Sequence, residues 1–175
     1  KAYVEMLGGK IQVDSEPGAG SVFSFTIPYK RKFEKQTVTG KKIISQVQQD
    51  MLKKINVIVA EDDQTSRFYF ETIMSGKFKD VNFTSSGGDT IKALKNNPDT
   101  DLILMDIKMP GMDGYEATRE IRKFNNDVLI IAQTAYGLSS DRQKALDAGC
   151  NEYLTKPVRK NILFEKIVSC LKEHS

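Results

Sequence analysis

From residue 55 onward, the sequence predicts an α/β fold in which a five-stranded, doubly wound parallel sheet carries helices on both faces. Five short apolar runs are predicted to be strands, at residues 55–60, 81–84, 102–105, 128–132 and 153–155. An amphipathic stretch follows each run, near residues 65–75, 88–95, 114–124, 139–148 and 160–172. Apolar strands that alternate with helices indicate a parallel sheet, because crossover helices are the usual connection between parallel strands. Right-handed crossovers then give the doubly wound arrangement.

The amino-terminal part has a different pattern. Residues 10–15 and 21–28 alternate apolar and polar side chains around a turn-rich segment at residues 16–20. This spacing predicts a β-hairpin with one apolar face, formed by Ile11, Val13, Phe23, Phe25 and Ile27. Because an isolated hairpin is marginally stable in water, we expect another surface to cover it: the α/β domain, a linker helix, or a second copy in a homodimer.

Residues 31–54 form a basic segment between these two parts. Ile43, Ile44, Val47, Met51 and Leu52 fall on one helical face, which predicts a linker that ends in a short helix. Phe33 is its one aromatic residue, so the segment lacks the stacking side chains of single-strand nucleic-acid binders.

Composition excludes several classes of protein. The 175 residues carry a net charge of +3, too small to predict nucleic-acid or membrane-surface binding. The longest apolar runs are far shorter than the ~20 residues of a membrane helix, so we expect a soluble, cytoplasmic fragment. Two cysteines without close spacing and the single His174 predict neither a disulfide scaffold nor a histidine-based metal cluster.

Polar residues with related chemistry follow four of the five predicted strands. Ligands bind at the carboxyl ends of the strands in this architecture, and those positions hold Glu61, Asp62, Asp63, Asp106, Thr134, Lys156 and Pro157. Carboxylates that gather at one edge favour a hard divalent cation such as Mg²⁺. Beside such a cation, a further carboxylate can act as a nucleophile on phosphorus.

Four segments at these positions resemble the receiver domain of response regulators. They are VIVAEDD at residues 57–63, DLILMDIKMPGMDG at 101–114, IIAQTA at 130–135 and AGCNEYLTKPV at 148–158. The resemblance covers residues 55–171 and implies a flavodoxin-like sandwich that takes part in a two-component phosphorelay.

The resemblance also implies a role for individual acidic residues. Asp106 matches the phosphoacceptor, and Asp62 matches a direct ligand of Mg²⁺ or Mn²⁺. Glu61 matches an acidic partner that often acts through water, at a position where the family usually has aspartate. Lys108 would contribute its backbone carbonyl to the metal.

Other matched positions concern the phosphoryl group and the response to it. Lys156 matches the phosphate contact, and Pro157 the proline that follows a cis peptide bond. Thr134 matches the switch hydroxyl and Tyr153 the aromatic that moves with it. Together they would switch the face made by the last two strands and last two helices. For Asp63, Asp113 and Gly114 we expect only roles in starting helices.

The segment GGKIQVDSEPGAGSVFSFTIPY, residues 8–29, looks like the last two strands of the ATP-binding domain of histidine kinases, with residues 1–7 as the end of the preceding helix. The order of the two resemblances implies a hybrid sensor histidine kinase. Residues 1–30 would then be the kinase remnant, 31–54 the linker and 55–175 the receiver. The start at Lys1, in the middle of a pattern, suggests a piece cut from a longer protein. A parent of this kind allows a membrane anchor elsewhere in that protein. The other motifs of the ATP site and the phosphoacceptor-histidine box do not appear in this sequence, so we expect no ATP binding by this piece.

The implied partners are a phosphohistidine domain of a histidine kinase, in the same parent chain or another, and a downstream phosphotransfer protein. We expect no nucleic acid and no membrane as partners of this fragment.

The main alternative function is a phosphorylation-independent docking module, which would tolerate loss of the acidic pair, Thr134 or Lys156. A hydrolase would want an acid two residues after Asp106, where Lys108 stands, and a DNA-binding regulator would need a further domain.

Overall fold

The computed structural model describes residues 10–18, 20–26, 46–134 and 139–174, with side chains from residue 142 in the last range. The chain divides into two compact units, Lys1–Ile43 and Ile44–Ser175. Among the described helices, none combines the length and hydropathy needed to cross a membrane.

The first unit contains the predicted hairpin. Strands β1 (Lys10–Glu16) and β2 (Gly20–Thr26) pair antiparallel, with Lys10 opposite Thr26 and Glu16 opposite Gly20. Gly18 and Gly20 have φ angles of +85° and +101°, which glycine adopts without steric cost, so they allow the tight turn. The helix predicted at residues 1–7 and the end of the second predicted strand lie outside the described residues.

Both strands of the hairpin are exposed along their length, including the apolar side chains of Val13, Phe23 and Phe25. Such a face is a surface that other apolar groups can cover. The expectation that a partner surface or a second copy of the chain covers it stays a prediction.

The second unit contains the predicted five-stranded sheet. Its strands are β3 (Asn56–Ala60), β4 (Asp80–Thr84), β5 (Leu102–Asp106), β6 (Leu129–Thr134) and β7 (Glu152–Thr155). They lie in the order β4-β3-β5-β6-β7, and all neighbouring pairs are parallel. This is the flavodoxin-like strand order, so the predicted fold is confirmed.

Six helices accompany the sheet in the described part of the unit. They are α1 (Gln46–Leu52), α2 (Gln64–Met74), α3 (Gly87–Asn96), α4 (Gly114–Arg122), α5 (Ser139–Ala148) and α6 (Lys160–Glu173). The last five begin and end within two residues of the predicted helical stretches.

The two faces of the sheet form separate hydrophobic cores, because successive side chains of a strand point to opposite sides. In β6, Leu129 and Ile131 belong to one core, whereas Ile130 and Ala132 belong to the other. The first core also contains side chains of α2 and α6, and the second contains side chains of α3, α4 and α5. The carboxyl ends of the strands thus lie along the edge between two layers of helices.

Helix α1 is the described part of the predicted linker helix, and Ile43 and Ile44 lie outside the described residues. Leu52 is its one buried residue: it is 1% exposed and belongs to the same core as Phe78 and Phe164. Val47, predicted on the same apolar face, is 77% exposed. We propose that the receiver unit begins with α1. The sequence patterns instead assign this helix to the end of the linker, residues 31–54.

We predict that Leu52→Ala lowers the free energy of unfolding of the second unit by about 2–5 kcal/mol, because it removes a buried side chain and leaves a cavity. The matched control Val47→Ala, on the exposed part of the same helix, should change it by less than about 0.5 kcal/mol. Urea unfolding of the intact chain measures both. A loss at Leu52 as small as the one expected at Val47 would show that the burial of Leu52 does not stabilise this unit.

Candidate functional site

The candidate site lies at the carboxyl edge of the parallel sheet. Glu61 and Asp62 directly follow β3, and Asp106 is the last residue of β5. Thr134 ends β6, and Lys156 follows β7. These residues are far apart in the sequence, but parallel strands end at the same edge, so their side chains converge there.

Three carboxylates meet at this edge. One ligand oxygen from each of Glu61, Asp62 and Asp106 lies within 4.8 Å of the others. Glu61 is 1% exposed and Asp106 is 5% exposed, whereas Asp62 is open to solvent. Like charges at this distance repel, and two of them have lost most of their contact with water, so the cluster needs positive charge.

Lys156 supplies part of that charge. Its Nζ donates hydrogen bonds of 2.7 Å to Glu61 Oε2 and of 2.7 Å to Asp106 Oδ2. The lysine side chain is 25% exposed, and both carboxylates are almost fully covered. A single ammonium therefore bridges the ends of β3 and β5 from its own position after β7.

This arrangement shifts two pKa values in the cluster. Burial raises the pKa of Glu61, and repulsion by Asp106 adds to this shift, while hydrogen bonding by Lys156 opposes it. Burial alone would lower the pKa of Lys156, but its hydrogen bonds to Asp106 and Glu61 outweigh burial and raise it. The lysine thus stays charged, and Glu61 takes up a proton more readily than an exposed glutamate does.

The backbone around Asp106 is held by the start of α4. Lys108 N donates a hydrogen bond of 3.2 Å to Asp106 Oδ1, and Gly114 N donates one of 3.0 Å to Ile107 O. A Cβ at Gly114 would lie 2.9 Å from Ile107 Cα and closer still to the carbonyl oxygen of Asp106. Only glycine fits there, so Gly114 lets the helix start directly against the backbone of Asp106.

Two aspartates predicted to start helices do so. Asp63 accepts a hydrogen bond of 2.7 Å from Ser66 N at the start of α2. Asp113 accepts one of 2.7 Å from Glu116 N at the start of α4. These N-caps fix the ends of two loops, the one that contains Asp62 and the one that follows Asp106.

Thr134 and Tyr153 lie on the face of the sheet covered by α3, α4 and α5. Thr134 is buried, and its carbonyl oxygen accepts a hydrogen bond of 2.8 Å from Lys156 N. Tyr153 is half-buried against this core, with the guanidinium of Arg142 at 5.9 Å and the ammonium of Lys166 at 5.8 Å from its ring centre. The peptide bond between Lys156 and Pro157 is cis.

Gln133 has a place in this region that the sequence patterns did not reveal. It is 0% exposed, and neither Oε1 nor Nε2 of its amide has a hydrogen-bond partner in the described part of the chain. A buried amide without a partner is uncommon in folded proteins. In the sequence, the one sign of this buried amide is that Gln133 is the single polar residue in the apolar run at residues 129–133.

The family model for the response regulator receiver domain matches residues 57–168. Apart from Asn56, the match covers every strand of the five-stranded sheet, and it includes all the residues of the acidic cluster.

Longer relatives match almost the whole chain. The autoinducer 2 sensor kinase/phosphatase LuxQ of Vibrio cholerae is 34% identical over 175 residues, which is 99% of this chain and 20% of the relative. The sensor protein EvgS of Escherichia coli is 28% identical over 163 residues, which is 93% of this chain and 13% of the relative. The chain therefore spans at most a fifth of the length of these two relatives.

Solved structures show the same fold. One is a co-crystal structure of the Saccharomyces cerevisiae histidine phosphotransfer signaling protein Ypd1 with the receiver domain of its downstream response regulator Ssk1. Its match has a TM-score of 0.65 and 30% identity, and covers 71% of this chain and 94% of that chain. A response regulator from Chloroflexus aurantiacus matches with a TM-score of 0.63 and 26% identity, over 69% of this chain and 99% of that chain.

We predict that Lys156→Met destabilises the second unit at neutral pH without divalent cations. The change removes the ammonium and leaves two buried carboxylates facing each other, which should lower the free energy of unfolding by about 3 kcal/mol. Burial already raises the pKa of Glu61, and removing Lys156 takes away the contact that opposes this shift, so the pKa should rise further in the variant. The loss of stability should be full above that higher pKa and shrink as the pH falls through it, when Glu61 becomes neutral.

Urea unfolding at a series of pH values measures this loss. The control is Lys123→Met, which removes the exposed ion pair with Glu120 and should cost less than about 1 kcal/mol. A loss at Lys156 that is no larger than that of the control, or that does not change with pH, would contradict the electrostatic account.

Proposed function

This chain belongs to the response regulator receiver domain family of two-component phosphorelays, and we propose that Asp106 is the residue that accepts the phosphoryl group. The observation that supports this assignment most strongly is the position of Asp106 at the end of the central strand, within reach of two other carboxylates and one lysine. In the proposed reaction, a carboxylate oxygen of Asp106 attacks the phosphorus of a phosphohistidine. An O–P bond forms, the N–P bond breaks, and the imidazole nitrogen leaves with the bonding electron pair.

We propose that Asp62, Asp106 and the backbone carbonyl of Lys108 hold Mg²⁺ or Mn²⁺, with Glu61 as an acidic partner acting through water. The donors fit such an ion, because hard cations prefer oxygen ligands and Mg²⁺ commonly uses one or two carboxylates. Charge also fits: when ionised, three carboxylates beside one ammonium leave two negative charges, which a divalent cation balances. When bound, the ion would reduce the repulsion between the carboxylate and the incoming phosphoryl oxygens.

Lys156 and Thr134 are proposed to contact the phosphoryl group. Lys156 Nζ is already at hydrogen-bond distance from Asp106, so an oxygen of a phosphoryl group on Asp106 can take over that hydrogen bond. Thr134 ends the neighbouring strand and is joined to Lys156 through its backbone. A hydroxyl at this position can report whether Asp106 carries the group.

The proposed output is a shift between two states of the face made by β6, β7, α5 and α6. Thr134 and Tyr153 belong to the strands of this face and lie on the same side of the sheet, since Tyr153 pairs in register with Ala132. Phosphorylation would favour the state in which Thr134 lies toward Asp106 and Tyr153 follows it. Residues 135–138, which come directly after Thr134, lie outside the described residues.

We propose that the phosphoryl donor is a phosphohistidine domain of a histidine kinase and that a phosphotransfer protein acts downstream. The matches with LuxQ and EvgS span nearly the whole chain, so they cover the hairpin and the linker as well as the receiver. This supports a hybrid sensor histidine kinase as the parent, with residues 1–30 as the remnant of its ATP-binding domain. A cytoplasmic location is part of the same proposal. The complex of Ypd1 with the Ssk1 receiver supports a phosphotransfer partner.

Incubation with acetyl phosphate and Mg²⁺ tests the central assignment. Intact-mass measurement should show the addition of one phosphoryl group to the chain and none to Asp106→Asn. Asp113→Asn is the matched control, because it changes an acid of the same loop while asparagine still caps α4. It should be phosphorylated like the unmodified chain.

The same extent of modification in Asp106→Asn would contradict the assignment. An unmodified chain that gains no phosphoryl group at all would favour a docking module that works without phosphorylation.

A further inference from the structure

A chain of hydrogen bonds links α4, the segment before β7 and the end of α6, at the opposite edge of the sheet from the acidic cluster. Nη2 of Arg122, in α4, donates a hydrogen bond of 2.9 Å to Asn151 Oδ1, and Ile130 N, near the start of β6, donates a second of 2.9 Å to the same oxygen. Asn151 Nδ2 lies 3.0 Å from Nε2 of His174, and Nδ1 of His174 lies 2.9 Å from the carbonyl oxygen of Cys170. Because His174 directly follows α6, its imidazole connects the end of that helix to Asn151.

The partners of Asn151 determine which form of His174 this contact requires. Oδ1 of Asn151 already accepts two hydrogen bonds, so the other atom of the amide, the donor Nδ2, faces the imidazole. Nε2 of His174 must therefore accept, and Nδ1, which faces a carbonyl oxygen, must donate the one ring proton. The contact thus fits the neutral imidazole. In the imidazolium form both nitrogens are donors, and two N–H groups would point at each other.

We propose that His174 is a pH-sensitive tie, which fastens the end of α6 to Asn151 when the imidazole is neutral and releases it when the imidazole is protonated. Histidine is the side chain whose charge ordinarily changes between pH 5 and 8, and His174 is the single histidine of the sequence. The side chain is exposed, so protons reach it freely. Asn151 cannot compensate by turning its amide round, because Arg122 and Ile130 N would then lose their acceptor.

The other groups around this contact do not change charge over the same range. The charged or titratable side chains near it come from α4, β7 and α6 and are Arg122, Glu152, Lys166, Cys170, Lys172 and Glu173. Arginine and lysine stay positive, and carboxylates stay negative, between pH 5 and 8. Burial raises the pKa of the Cys170 thiol, and the carboxylates of Glu152 and Glu173 add to that shift, so the thiol stays neutral.

Release of the tie would change the contact between elements and leave the helix end intact. The protonated imidazole can still donate from Nδ1 to the Cys170 carbonyl, and a positive charge near a helix C-terminus is favourable. What is lost is the connection of α6 to α4 through Asn151. Helix α6 belongs to the face proposed to change on phosphorylation, so acidification would loosen this face at the edge remote from Asp106. This effect needs no phosphoryl group and is distinct from the proposed reaction.

NMR titration of the intact chain from pH 8 to pH 5 tests the contact directly. The side-chain Nδ2 proton signals of Asn151 should move together with the ring proton signals of His174. The matched control is Asn97, whose Nδ2 donates a hydrogen bond of 2.9 Å to the carbonyl oxygen of Ala93, and its signals should stay in place. In His174→Ala, the Asn151 signals should lose most of their response to pH.

Urea unfolding of the unmodified chain, His174→Ala, Asn151→Asp and the double variant separates the tie from the charge effect at the helix end. An aspartate keeps an acceptor for Arg122 and Ile130 N but turns a second acceptor toward His174, so it should favour the protonated ring. At pH 8, His174→Ala should raise the unfolding equilibrium constant at least about twofold more in the unmodified chain than in Asn151→Asp, and at pH 5 the order should reverse. The charge effect at the end of α6 and the titration of Glu61 are common to both backgrounds and cancel.

The proposal is overturned if the Asn151 signals do not follow those of His174, or if they keep their pH response in His174→Ala. It is equally overturned if His174→Ala has the same effect in both backgrounds at each pH, which would leave only the charge effect at the end of α6. Should Asn151→Asp fail to fold, the NMR comparison decides alone.

Discussion

The ammonium of Lys156, held between the carboxylates of Glu61 and Asp106, is the interaction on which the architecture of the site depends. It joins the loop after β7 to the ends of β3 and β5, across the intervening β6. Two buried carboxylates without that ammonium would repel each other at close range in a region of low dielectric. The lysine stabilises this edge of the sheet, but its one positive charge does not balance three carboxylates. The negative charge that remains is the physical basis of the proposed cation site.

The fold brings these groups together through strand order and tight backbone packing. Central strands β3 and β5 are neighbours, so Glu61 and Asp106 leave the sheet side by side. Gly114 then allows α4 to start against the backbone of Asp106, which fixes the position of the carboxylate. The side chain proposed to react is thus carried by a strand that is buried at every position and is supported by the start of a helix, which favours a preorganised site.

Much of this could be predicted from the sequence because the information is local or periodic. Apolar runs at β3, β5 and β6 gave the strands, and Asp63 and Asp113 had the form of helix N-caps. The site residues were predicted because parallel strands of any such sheet end at one edge. The burial of Leu52 and the exposure of Val47 were not predicted, since helical spacing shows which residues share a face but not how far along the helix that face is covered.

Gln133 shows a second kind of limit. Its polar character is visible in the sequence, but its lack of a partner depends on what surrounds it on α2 and after β7. In the same way, Lys156 was expected from the resemblance to contact phosphate, and its double contact with Glu61 and Asp106 could be seen only in three dimensions. Contacts between residues distant in sequence depend on packing details that a pattern of residue types does not contain.

The central claim, that excess negative charge at this edge makes a divalent-cation site, is tested most directly by calorimetric titration of Mg²⁺ into two adjacent variants. Asp62→Asn removes a proposed ligand, whereas Asp63→Asn changes the neighbouring aspartate to another good helix cap. We expect Asp62→Asn to weaken Mg²⁺ binding by more than about tenfold, or 1.4 kcal/mol, and Asp63→Asn to leave it close to that of the unmodified chain. Equal affinities of all three proteins for Mg²⁺ would contradict the account.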